Sequence, residues 1–252
     1  MPKLIDIHSH IIYGVDDGPK TFADSQVMLY RAAENNISDI VCTSHAAPGI
    51  RPFPAKEYIQ HMEEEQRFCD DQALGITLHY GAEIFYTELA PRMIRDGAIP
   101  TMDETWYVLL AFERNATLTE ISDALHRIED IGHYPILAHV ERLDCMRNVK
   151  TAVQLKKSCP VLYQLNSDTV LKPGTFMDER WLRHMFSEQL IDFVASDSHN
   201  AASRDNTLMA AYRKLCTMLS PAAADRLCGG KASSVLKIER SFTQTGPIIG
   251  NL

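Results

Sequence analysis

The chain has 252 residues, 45% of them hydrophobic and 23% charged, with a formal net charge of -8. A chain of this length buries enough apolar surface to fold without disulfides or a structural metal. The acidic balance, with no run of like charges beyond the glutamates at 63–65, argues against a nucleic-acid binder, which carries a basic stripe.

In chain order, the first buried apolar run is 4–8 (LIDIH), and the first helix-period segment is 22–35. Strand-like runs follow at 39–44, 76–82, 106–112, 135–140, 161–166 and 192–197. Helical segments fall between or after them at 55–73, 88–96, 118–131, 147–157, 178–190 and 204–218. Ser220 and Pro221 form an N-cap and N1 pair for one more short helix. The tail from about 240, with two glycines and a proline, reads as irregular. Strands alternating with helices predict an α/β chain, its parallel sheet open or closed into a barrel, in a single domain over 1–252.

The six cysteines form no CxxC pair, which fits reduced thiols in a cytoplasmic protein. No basic and apolar leader precedes Leu4, and no apolar run approaches the roughly 18 residues that span a bilayer. The expectation is a cytoplasmic chain without membrane insertion. A cysteine-dependent phosphatase needs an arginine six residues after its cysteine, and none of the six meets that spacing. CGGKAS at 228–233 lacks the first glycine of a phosphate loop, because Asp225 stands there.

Metal-capable residues gather at the carboxyl ends of the strand runs. His8 and His10 end the first, His45 follows the second and Glu83 the third. His139 and Glu141 end the fifth, and Asp197 and His199 the seventh. Parallel α/β sheets assemble their sites at that end. Residues two apart on a strand point the same way, so His8 with His10, and Asp197 with His199, can face one pocket. Imidazole and carboxylate together suit zinc, manganese or iron, and the lack of thiolates argues against a structural zinc. Eight such residues exceed the needs of one ion and point to two or three. Clusters of that kind activate water and hold phosphate oxygens. His61, His126, His133 and His184 lie on helices or loops and read as ordinary hydrogen-bonded or surface residues. His79, inside the third run, is set aside.

DIHSHIIYGVDDG at 6–18, TSH at 43–45, GAEI at 81–84, AHVER at 138–142 and ASDSHN at 195–200 together resemble the polymerase and histidinol phosphatase (PHP) superfamily. They are most similar to its bacterial protein-tyrosine phosphatase branch, the capsule and exopolysaccharide regulators. The similarity runs in register from residue 4 to about 205. It implies a distorted seven-stranded (β/α) barrel of PHP type, TIM-barrel-like. It implies two or three divalent ions, manganese first, with iron or zinc as alternatives. The metal residues it implies are His8, His10, Asp17, His45, Glu83, His139, Asp197 and His199. The phosphate-binding arginines are Arg142 and Arg204, whose planar fork meets phosphate oxygens in pairs. Asp16, Glu141 and Asn200 would orient ligand histidines. Tyr13, Phe53, Phe85 and Tyr86 would either pack around a tyrosyl ring or anchor loops.

One position departs from the pattern. The family carries a glutamate ligand where LLAFER has Ala111, on the ion that His139 would share. Three explanations stand at this point: loss of one metal with weaker activity, substitution by Glu113 if the strand continues, or an engineered alanine that traps substrate. The implied activity is metal-dependent hydrolysis of phosphotyrosine, on the tail of a bacterial tyrosine kinase. The alternatives are a small-molecule phosphatase such as one for histidinol phosphate, and a phosphotyrosine-binding regulator impaired by Ala111. A DNA-processing role fits least, given the acidic stand-alone chain.

Overall fold

A computed structural model describes residues 2–236 of the chain, and the tail expected to be irregular from about 240 lies outside them. In chain order the elements are β1 (Leu4–Ser9), α1 (Phe22–Glu34), β2 (Ile37–Cys42), β3 (His45–Ala46), α2 (Ala55–Asp71), β4 (Thr77–Tyr80), β5 (Glu83–Phe85) and α3 (Ala90–Arg95). They continue with β6 (Tyr107–Ala111), α4 (Leu118–Asp130), β7 (Tyr134–Leu137), α5 (Val149–Ser158), β8 (Leu162–Asn166), α6 (Ser167–Leu171), α7 (Phe176–Ser187), β9 (Phe193–Ala195), α8 (Leu208–Met218) and α9 (Pro221–Asp225).

The strands form two parallel ladders, β1-β2-β4 and β3-β5-β6-β7-β8-β9. The chain after β9 meets β1: the Asp197 N–H donates to the His8 carbonyl at 2.8 Å and the His10 N–H to the Ser198 carbonyl at 2.9 Å. These bonds curl the sheet around on itself. Alternation sorts the side chains. Leu109 and Ala111, Ile136 and Ala138, and Phe193 and Ala195 join Ile5, Ile7, Val41 and Met102 in one apolar cluster, inside the curl. Their strand neighbours Leu110, Leu137 and Val194 join helix residues such as Leu29, Leu125 and Leu215 in the larger cluster outside it.

Seven continuous strands were the expectation, and the described residues contain nine. The runs at 39–44 and 76–82 each break in two, at Thr43–Ser44 and at Gly81–Ala82. A break in a buried sheet orphans backbone groups unless something else bonds them. Here the buried Tyr58 hydroxyl donates to the Cys42 carbonyl at 2.7 Å and accepts from the Gly81 N–H at 3.1 Å. A side chain at residue 81 has no room, since a Cβ would stand 2.5 Å from Val41 Cγ1.

Helix limits follow caps. Thr21, Thr117 and Thr175 each close a capping box with the acid three residues on, so α7 starts at 176 instead of 178. Helix α8 starts at 208 instead of 204, because Asn200 Oδ1 takes the N–H groups of Ala202, Ser203 and Arg204 into a turn. The five-residue α6 is too short to show a period and was not anticipated.

Tyr58→Phe strands a buried carbonyl and a buried N–H at the two strand breaks. Urea unfolding should show a loss of about 1–3 kcal/mol; an unchanged midpoint would mean the hydroxyl does not hold the breaks together.

Candidate metal centre

The carboxyl ends of the strands bring the predicted residues into one cluster. Glu83 is its centre. Its Oε2 lies 3.0 Å from His45 Nδ1, 3.3 Å from His10 Nε2 and 3.5 Å from His8 Nε2. Its Oε1 lies 2.6 Å from His139 Nε2. Asp197 Oδ1 faces the same histidines, 3.4 Å from His8 Nε2 and 3.6 Å from His10 Nε2. On the outer side, Asp17 Oδ1 lies 3.1 Å from His45 Nε2 and 3.3 Å from His199 Nε2. Donor atoms of His10, Asp17, His45 and His199 fall within 4.8 Å of one another, as do those of His8, His10 and Asp197.

The local backbone is shaped for this convergence. β1 carries a register shift between Asp6 and Ser9, the kind of irregularity that re-aims side chains beside sites. His139 and Asp197, just past the ends of β7 and β9, adopt left-handed backbone with φ of 33° and 53°. Such geometry costs non-glycine residues about 1–3 kcal/mol each and persists only when other bonds hold it.

Asp16 does orient a histidine: its Oδ2 meets His10 Nδ1 at 2.9 Å and accepts the His45 N–H at 3.0 Å. Among the described residues, no hydrogen bond joins the side chain of Glu141 or Asn200 to a ligand histidine. Glu141 Oε1 accepts from the Asn166 N–H at 3.2 Å, and Asn200 builds the turn before Arg204. Two residues went unremarked in the sequence, Gln164 and Asn166, side by side on one face of β8. Gln164 Oε1 lies 3.1 Å from His8 Nδ1, and Asn166 Nδ2 donates to Asp197 Oδ2 at 2.8 Å. The alternation in YQLN, two amides at i and i+2 at a strand's carboxyl end, was the available signal.

The electrostatics are those of donors packed for cations. Burial penalises the charge on His8 and His10, yet Asp197 and Glu83 around His8, and Asp16 and Glu83 around His10, outweigh it; both are raised, His10 to about 10. Burial likewise opposes ionisation of Glu83, and the surrounding histidines hold it well below its ordinary value. His199 is pushed down to about 4 by burial and by His10. Two Nε2 atoms, His8 and His10, stand 3.3 Å apart and face shared carboxylates. His139 Nδ1 and His199 Nε2 are buried with no hydrogen-bond partner among the described residues. Converging lone pairs and orphaned imidazole nitrogens fit divalent ions, and the N/O donor set suits manganese, iron or zinc.

Both arginines border the cluster. Arg142 Nη2 lies 2.6 Å from Asp197 Oδ2, and Arg204 Nη2 lies 3.3 Å from both oxygens of Asp197. A cavity of about 140 Å³ opens between them, lined also by Asn166, Thr169 and Ser196.

Ala111 ends β6, buried among apolar side chains. The strand stops there. Glu113 is exposed in the following loop, beside a separate cavity floored by Phe85, Tyr86 and Phe112, so the condition for its substitution is not met. Three of the four aromatic residues pack on neighbouring rings: Tyr13 stacks on His61 and bonds Glu64, Phe53 packs on Tyr58, and Tyr86 stacks on Phe112. His79, set aside in the sequence, bridges Asp39 and Asp103.

Residues 4–237 match the family model for capsular polysaccharide synthesis proteins, CpsB/CapC. The chain belongs to that family. The tyrosine-protein phosphatase CpsB of Streptococcus agalactiae serotype V is 33% identical over 239 residues, covering 93% of this chain and 98% of that protein. The tyrosine-protein phosphatase CpsB of Streptococcus pneumoniae is 32% identical over 214 residues, 83% of this chain and 88% of that one. A crystal structure from work on YwqE of Bacillus subtilis and CpsB of S. pneumoniae, described as unique metal-dependent tyrosine phosphatases, superposes with a TM-score of 0.82. It does so at 23% identity, covering 96% of this chain and 97% of that one, and shows the shared CpsB/CapC fold.

The raised histidines set a pH dependence. A histidine raised on folding stabilises fully below its unfolded value near 6.5, and the gain is lost as pH rises through its folded value, about 10 for His10. His79, raised to about 9 by Asp103 and Asp39 against the cost of burial, acts in the same sense. In chelator, the melting temperature should therefore fall from pH 6.5 to 10. Added Mn²⁺ should reverse the trend, since ligation needs neutral imidazole. A flat profile in chelator would contradict the charge pattern.

Proposed function

We propose that this chain is a metal-dependent protein-tyrosine phosphatase. The observation that carries the reading is the pair Arg142 and Arg204 closing on Asp197 beside the histidine–carboxylate cluster. The names of the CpsB relatives support the same chemistry. In this reading the nine short strands belong to a distorted PHP-type barrel of seven strand positions, with the runs at 39–44 and 76–82 each counted once. The barrel forms a single catalytic domain. The substrate is a phosphotyrosine tail, that of a bacterial tyrosine kinase in capsule or exopolysaccharide synthesis, and the site of action is the cytoplasm. Among the described residues no helix is long and apolar enough to cross a membrane.

His8, His10, Asp17, His45, Glu83, His139, Asp197 and His199 would hold two or three divalent ions, manganese first. Bound there, the ions supply Lewis acidity, lowering the pKa of water and neutralising phosphoryl charge. The chain's own groups do the rest. Arg142 and Arg204 present planar guanidinium forks to two phosphoryl oxygens and fix the ester in the cleft. Both rest on Asp197, one of the residues that would hold an ion, and both would be available to substrate where an ion met that carboxylate's charge. Asp16 holds His10 by Nδ1 and leaves Nε2 facing Glu83. His199, pushed down to about 4, stays neutral and keeps a lone pair available at working pH. A phenol of pKa about 10 leaves more readily than an alkyl alcohol, so the site has less need of a general acid.

Ala111 favours a second reading, a phosphotyrosine binder with impaired turnover. One experiment separates the two: hydrolysis of a phosphotyrosine peptide with Mn²⁺, by the wild type and by Ala111→Glu. Turnover by the wild type supports the phosphatase. Turnover by Ala111→Glu alone supports the binder, and turnover by neither removes the phosphatase reading. Arg204→Met should lower kcat/KM of the active form by roughly 10²–10³-fold, the loss typical of removing one charge-stabilising group. Histidinol phosphate in place of the peptide tests the small-molecule alternative.

A further inference from the structure

Gln164 is fully buried on β8, and both polar atoms of its amide are hydrogen-bonded. Its Oε1 accepts the backbone N–H of His139 at 2.7 Å and lies 3.1 Å from His8 Nδ1. Its Nε2 donates to Asn166 Oδ1 at 2.8 Å, and Asn166 Nδ2 donates to Asp197 Oδ2 at 2.8 Å. The direction of this chain is forced at both ends. A backbone N–H can only donate, and an ionised carboxylate can only accept. The Gln164 amide therefore has one orientation, and so has that of Asn166. With Oε1 turned toward it, His8 Nδ1 must be the donor. In the neutral ring that metal ligation requires, the one proton therefore sits on Nδ1, and Nε2 is left to face Glu83 and Asp197.

We propose that Gln164, working through Asn166, is the positioning residue of the metal centre. It sets the ring orientation and tautomer of His8, pins the left-handed backbone of His139, and fixes the second oxygen of Asp197 so that the first faces the histidines. Three ligands at the ends of three separate strands are thereby registered by two linked amides. The inference rests on the reading that His8, His139 and Asp197 hold divalent ions. Partners of metal-bound imidazole commonly control affinity in this way.

The test is calorimetric titration of Mn²⁺ into metal-free wild type, Gln164→Met and Gln164→Glu. Gln164→Met keeps the shape and removes every polar bond. It should weaken Mn²⁺ binding by roughly 10–100-fold. Gln164→Glu still accepts from His8 and His139 but cannot donate to Asn166, so it should recover most of the affinity. The proposal is overturned if Gln164→Met binds as the wild type does, or if Gln164→Glu is as weak as Gln164→Met. If the wild type takes up no Mn²⁺, the metal reading itself falls and takes this inference with it, a result distinct from the other two. Should Gln164→Met fail to fold, the zinc-loaded wild type answers the question by long-range ¹H–¹⁵N spectroscopy. A His8 Nδ1 proton in slow exchange with solvent supports the relay, and one that exchanges freely overturns it.

Discussion

Two buried carboxylates, Glu83 and Asp197, set the terms for the rest of the molecule. An ionised carboxylate away from water is costly unless positive charge or hydrogen-bond donors surround it. Glu83 gathers four histidines, and Asp197 gathers three histidines, two arginines and Asn166. Those partners come from loops and strand ends spread between residues 8 and 204, and only a sheet curled on itself brings them together. The bonds from Asp197 and His10 across the seam between β1 and the chain after β9 are therefore part of the site as much as of the fold.

The same demand explains the irregularities of the backbone. His139 and Asp197 take left-handed conformations that no helix or strand would tolerate. Each is held by a bond from its own N–H, to Gln164 in one case and to the His8 carbonyl in the other. The second and third strand runs break where the sheet turns toward the cluster, and the Tyr58 hydroxyl supplies the hydrogen bonds the sheet gives up. Strain and broken ladders concentrate at the rim of the site. The apolar layer of Ile5, Ile7, Leu109, Ile136 and Phe193, packed inside the curl, supplies a rigid base for them.

Much of the site was legible in the residues. HxH at 8–10 and DxH at 197–199 placed histidine and carboxylate at strand ends, and alternation gave them a shared side. The structure brings these, Asp17, His45, Glu83, His139 and both arginines into one cluster. Strand and helix order was legible as well, because apolar runs and helical periodicity are local signals. Gln164 and Asn166 escaped notice because an amide on a strand carries no chemistry until its partners are known. Glu113 looked available for the opposite reason: two positions beyond Ala111 put it on the right face only if the strand went on, and it does not.

The sequence by itself determined the chemical inventory: imidazoles, carboxylates and two arginines at the carboxyl ends of parallel strands, with an alanine at position 111. Ligand types and strand faces follow from side-chain identity and the two-residue period, both local properties. Tertiary structure alone decided which carboxylate sits at the centre, which way each imidazole turns, and that β6 ends at Ala111. Those outcomes depend on distances between atoms more than a hundred residues apart in the chain, as with His8 and Gln164. They also depend on the rule that every buried donor must find its acceptor, which is settled only when the whole curl has closed.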